Sequence, residues 1–226
     1  MFSIVLQDLL VMRKSILLSG IYIAVMLLIF QNIATPGLLA GTAIFTAAMI
    51  AVTYMLIGNA CAYADKSKVD VVFNSMPVNR IEIVAARYLS VYMFFIIGIV
   101  YYLIVTGLIN LAQLPVQVYP LSWEGMIGAF FAVTLMNSVY LPVFFKWGYV
   151  NSRMINFILF FVFFFGGNIL AEAIYKNREY APVKQLQGFI ANQSETLLRA
   201  GFILLILVIL FVSILISARI YINKEF

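Results

Sequence analysis

Histidine is absent from this chain, and cysteine occurs once, as Cys61. Without histidine the sequence lacks the usual near-neutral proton carrier and the commonest metal ligand. Zinc hydrolase sites of the HExxH kind and triads with a histidine base are excluded with it. One cysteine closes no internal disulfide, and no CxxC pair exists. Cys61 lies among apolar residues and reads as a packing residue. Charge is scarce too: Asp, Glu, Lys and Arg make up 10% of the 226 residues. A soluble domain of this size needs more to solvate its surface. There is no GxxxxGK[ST], so the chain has no P-loop of its own for nucleotide phosphates. No acidic or basic residue lies deep in an apolar run, where proton- and ion-coupled carriers usually keep one. No catalytic constellation is left, and the chain reads as a non-enzyme with no metal or cofactor ligands.

What is present is apolar. Hydrophobic residues reach 65% and mean hydropathy is +1.06, which places the chain among all-α, polytopic membrane proteins. A bilayer core takes about 20 residues of helix. Six spans follow, near residues 15–33, 37–60, 90–111, 125–145, 154–171 and 199–218, in one transmembrane domain over 1–226. Turn chemistry at Thr35-Pro36-Gly37 divides the first two. Gly37 and Gly41, followed by Ala48 and Ala51, give small-residue spacing suited to close helix contact. Pro142 should bend or end the fourth span. Lys146 to Arg153 reads as a tight loop, and Gly166-Gly167-Asn168 as an end or bend of the fifth span. Asn137 and Ser138 are polar residues inside the fourth. Such residues either bond across helices or line a pathway. Residues 1–14 read as an interfacial helix, because Phe2, Val5, Leu6, Leu9 and Met12 share a face. The start is not a cleavable signal, since Asp8 interrupts it and a full-length span follows.

The net charge is +5. In this setting it reflects cationic residues held on the cytoplasmic side rather than nucleic-acid binding. With the N-terminus inside, the inner segments carry Arg13 and Lys14, then Lys66, Lys68, Arg80 and Arg87, then Lys146 and Arg153, then Arg219 and Lys224. Only the last outer segment, 172–197 and its flank, is basic, with Lys176, Arg178, Lys184 and Arg199. Both termini are therefore expected in the cytoplasm, and 172–197 outside.

One stretch organises the rest. Residues 65–87 read DKSKVDVVFNSMPVNRIEIVAAR. Val69, Val72, Phe73 and Met76 form an apolar stripe at i, i+3, i+4, i+7. Lys66, Asp70 and Asn74 recur on the opposite side. Pro77 stops that helix. Asn79 with Glu82 three residues on reads as an N-cap with its partner, so a new helix starts near Arg80. The result is a cytoplasmic elbow over about 65–80, able to take force from a partner. The plainer reading is an ordinary loop with a surface helix.

The string Asp65-Lys66, Val69-Asp70, Asn74-Ser75-Met76-Pro77-Val78-Asn79-Arg80, Glu82-Ile83-Val84 and Arg87-Tyr88 resembles the cytoplasmic elbow of ABC-2-type permeases. Met76 stands where leucine is commoner, and Asn79 where serine is. The resemblance implies a second permease chain, identical or homologous, and two separate ATPase subunits that bind ATP and Mg. It implies a coupling helix between spans 2 and 3 that meets the ATPase through Val69, Val72, Phe73 and Met76, with Lys66, Lys68 and Asp70 at the rim. Pro77, Asn79, Arg80, Glu82 and Arg87 would brace the elbow against the third span or lipid headgroups. It also implies a multi-pass protein of a bacterial plasma membrane. Exporters of amphipathic peptide toxins have permeases of this size, and antibiotic or drug efflux permeases look similar. From another class, an autonomous carrier or channel would move solute with no ATPase, and a membrane scaffold would move none.

Overall fold

The computed structural model describes residues 2–30, 38–67, 79–113, 121–176 and 194–224. Among them the regular structure is six helices: α1 Phe2–Val11, α2 Arg13–Phe30, α3 Leu38–Lys66, α4 Arg80–Leu111, α5 Trp123–Lys176 and α6 Glu195–Ile222. α1 and α2 part at Met12, but the bonds Met12 N–H to Asp8 and Ile16 N–H to Met12 persist across the joint.

α3 is the centre of the bundle. Its inner surface is built from small residues, with Ala48, Ala51, Ala60 and Cys61 all buried. Lipid tails are as apolar as leucine, so hydrophobicity does not select which helix goes inside. Close packing does, and small side chains permit it. Gly98 of α4 uses the same device, since a Cβ there would lie 3.1 Å from Met49 Sδ.

α5 doubles back on itself. Its one non-helical residue is Gly148, at φ 73° and ψ −179°, a conformation essentially confined to glycine. α3 lies along both arms. Gly125 of the first arm sits by Thr42 and Phe45, and Gly148 by Asp65, so these helices run parallel. On the second arm Asn156 reaches Gly58 and Phe160 meets Tyr54 at 4.7 Å, so that arm returns. α6 runs with the first arm, through Phe131–Phe202 and Phe145–Tyr221. α4 runs against α3, with Phe45 edge-on to Tyr102 at 4.9 Å. The ends of α3 and α6, the start of α4 and the Gly148 turn thus share one side of the bundle.

Four sequence readings change. The expected loop at 146–153 shrinks to one residue, because a single left-handed glycine reverses the chain. Of the bend or end expected at Pro142, the end does not occur. α5 also continues through Gly166 and Gly167 to Lys176. A helical glycine costs about 1 kcal/mol against alanine, less than stripping backbone bonds in apolar surroundings. Asp65 and Lys66 form the last turn of α3 rather than opening a separate surface helix, since no breaker follows Ala60 and Ala64 packs inward.

Among the described residues, four stretches are long and apolar enough to cross a membrane: Gly41–Lys66, Arg80–Leu111, Trp123–Gly166 and Ala200–Ile222. Six spans were expected. Trp123–Gly166 contains both arms of the α5 hairpin, and α2 has 18 residues that open on Arg13 and Lys14.

Candidate functional site

The expected coupling residues Lys68, Val69, Asp70, Val72, Phe73 and Met76, with Pro77, lie outside the described residues. Lys66 is exposed in the last turn of α3, where a cation suits the negative end of the helix dipole. The two ends of that stretch, Ser67 and Asn79, emerge on the same side of the bundle.

The first turns of α4 are tied to both ends of the chain. Asn79 is the N-cap, at φ −68° and ψ 130°, and its side chain accepts from Ile81 N–H at 3.2 Å. Arg80 Nη1 donates to the carbonyls of Ile222 at 2.8 Å and Lys224 at 3.2 Å, closing the C-terminal end of α6. Glu82 is exposed in the first turn of α4. Arg87 Nη1 meets Asp8 Oδ2 of α1 at 2.9 Å, with both side chains largely buried. Ser90 Oγ donates to the same carboxylate oxygen at 2.9 Å. The Arg87 guanidinium also lies 5.9 Å from the Phe144 ring centroid. Breaking one partner of such a pair strands a charge.

One residue further along, the chemistry changes from charge to hydroxyl. Tyr88 OH lies 2.5 Å from Ser213 Oγ and 2.9 Å from Ser217 Oγ of α6. Ser213 Oγ donates to the Ser138 carbonyl at 2.7 Å. Proline at 142 has no N–H for that carbonyl, four residues back, and serine hydroxyls commonly fill such gaps in apolar helices. With the Ser213 proton on Ser138, Tyr88 donates to Ser213 and receives from Ser217. The chain of donors runs one way and joins three helices. A turn deeper, Tyr92 OH lies 3.3 Å from Thr134 Oγ1.

Asn137 belongs to the same seam. Its Nδ2 donates to the Val133 carbonyl at 2.9 Å, and its buried Oδ1 has no partner among the described residues. The crevice lined by Tyr88, Tyr92, Thr134, Asn137 and Ser138 has no room for a water molecule. Asn137 and Ser138 therefore border a closed seam between helices in this conformation. Gly166 has open space around it, while the surroundings of Gly167 and Asn168 fall outside the described residues.

Sequence reasoning missed Tyr88, Thr134, Ser213 and Ser217 as a group. The signal was present as hydroxyl pairs at four-residue spacing, Tyr88/Tyr92, Thr134/Ser138 and Ser213/Ser217, which put both members on one helix face. These groups are neutral. They offer no nucleophile–base pair, and no cluster able to hold a metal ion occurs among the described residues.

A family model described as ABC-2 family transporter protein matches residues 3–222. No curated protein and no solved structure matches the chain.

Proposed function

Because this chain belongs to the ABC-2 transporter family, we propose that it is the permease subunit of an ATP-driven exporter. It crosses the plasma membrane six times, with α2 and each arm of α5 counted as spans, and keeps both termini in the cytoplasm. α1 lies at the inner membrane surface. A second permease chain completes the path, and two ATPase subunits carry ATP and Mg. The observation that carries this reading is the family match across nearly the whole chain. The gathering of helix ends and cationic residues on one side supports a cytoplasmic docking face there.

In this reading the ATPase docks on the elbow through Val69, Val72, Phe73 and Met76, rimmed by Lys66, Lys68 and Asp70. Arg80 and Arg87 carry its movement to α6 and α1, because they already hold the ends of those helices. The cargo is an amphipathic or hydrophobic peptide, in keeping with a path that lacks charged groups.

Purification in mild detergent from native membranes tests the core of this. An ATPase subunit should co-purify in about equal amount, and Phe73→Ala with Met76→Ala should release it while the chain stays inserted. Recovery of the chain alone at good yield removes the exporter reading and favours an autonomous carrier.

A further inference from the structure

We propose that the cleft between α3 and the second arm of α5 binds the headgroup of an anionic phospholipid. The cleft has a volume of about 150 Å³ and is lined by Tyr54, Gly58, Asn59, Tyr149, Arg153 and Asn156. That is space for about five waters, enough for a phosphodiester. Its walls carry polar groups beside Met55, although the arm that forms one of them is rich in phenylalanine. Gly58 keeps the floor open, with Asn156 Nδ2 3.7 Å from where its Cβ would stand.

Asn156 lines the cleft and is 3% exposed. Arg153 is exposed and has no carboxylate partner among the described residues. Its guanidinium suits the phosphate, with Tyr54 and Tyr149 hydroxyls as further donors. Asn59 Nδ2 donates to Ser15 Oγ at 3.4 Å, which holds the first turn of α2, with Arg13 and Lys14, beside the cleft.

The surroundings select a lipid over a free anion. Arg153, Phe157, Phe161 and Phe165 repeat every four residues, so they line one face of the arm. All three rings are exposed. Phe157 meets Phe161 at 4.7 Å and Phe161 meets Phe165 at 5.8 Å. An apolar ladder therefore leads from the cation into the membrane, where an acyl chain would lie. Free phosphate would use the cleft and leave the ladder bare. The inference needs only a membrane-embedded chain, and stands whether or not an ATPase partner is found.

Native mass spectrometry of the purified chain tests it, with dioleoyl phosphatidylglycerol and dioleoyl phosphatidylcholine offered at equal concentration. Phosphatidylglycerol should be retained in clear preference. Arg153→Gln should reduce that preference about fivefold, the effect of one cation near an anionic lipid surface. Arg219→Gln, at the end of α6, should leave it unchanged. A dihexanoyl phosphatidylglycerol should bind more weakly than the dioleoyl form. Equal retention of the two dioleoyl lipids, or a preference untouched by Arg153→Gln, overturns the proposal. Competition by millimolar inorganic phosphate, with the short-chain lipid binding as well as the long, reassigns the cleft to a free anion and also overturns it.

Discussion

Arg87 and Tyr88 are neighbours on α4, yet they tie it to different partners by different physics. Arg87 holds the N-terminal helix through a buried ion pair with Asp8, shared with Ser90. Tyr88 holds the last helix through two serine hydroxyls. The ion pair has one good geometry, and either charge alone is costly in a place with little water. The hydroxyl chain is weaker and replaceable, because each member both donates and accepts. In a permease that alternates between arrangements, the brace would carry α1 with α4, while the exchangeable seam would let α6 adjust about the end that Arg80 holds. Adjacent positions thus pair a tie of one geometry with a tie of several.

Removing one charge of the brace should give the largest effect. Asp8→Ala takes away the carboxylate that meets the buried Arg87 guanidinium at 2.9 Å, and should cost about 3 kcal/mol. Cys61 provides the readout: it is the single cysteine and is fully buried, so a thiol dye labels it only on opening. The midpoint of labelling in a denaturing-detergent titration should fall accordingly. The double variant Asp8→Ala with Arg87→Met should recover part of the loss, since no charge is then stranded. A double variant as unstable as the sum of both singles would show that packing, not charge, sets the brace.

Gly148→Ala belongs to neither tie and should rank second. Its φ of 73° excludes a β-carbon at about 1–3 kcal/mol, and the added atom would sit 3.3 Å from Asp65 Oδ1. The turn positions the arm that carries both Phe144 and Ser138, so the variant should loosen brace and seam alike. Tyr88→Phe should rank third. It removes two hydroxyl contacts between helices, which are worth about 0.6 kcal/mol each on average in membranes. Cys61 labelling at the midpoint checks both, and Tyr88→Phe matching Asp8→Ala in size would erase the distinction drawn between them.

The start of α4 was legible in the sequence because capping is local: Asn79 and the helix after it need only neighbouring residues. The turn at Gly148 was half legible. Lys146 to Arg153 read as a tight loop, but a one-residue turn depends on a dihedral that composition does not encode. The persistence of α5 through Pro142 and Gly166-Gly167 was not legible, since water-based breaker rules fail where the backbone has nothing else to bond. The seam was hidden for a related reason. A serine in an apolar run is ambiguous until its partner helix is known, and the register of α6 against α4 comes from packing. Of the proposed ATPase contacts only Lys66 falls within the described residues, so that surface stands on the sequence alone.

The smallest predicted effect tests why the seam sits where it does. Pro142 leaves the Ser138 carbonyl without its helical donor, and Ser213 supplies one at 2.7 Å. Pro142→Ala would restore an N–H to that carbonyl. Ser213 would then compete with the helix for it, and its hydroxyl would turn toward Tyr88. The single change should shift stability little. The Ser213→Ala variant should however cost about 0.5 kcal/mol less in the Pro142→Ala background than in the native chain, as expected for residues sharing one acceptor. Equal costs in both backgrounds would mean that the Ser138 carbonyl does not depend on Ser213. The proline would then only shape the helix, and the seam would rest on Tyr88 and the two α6 serines.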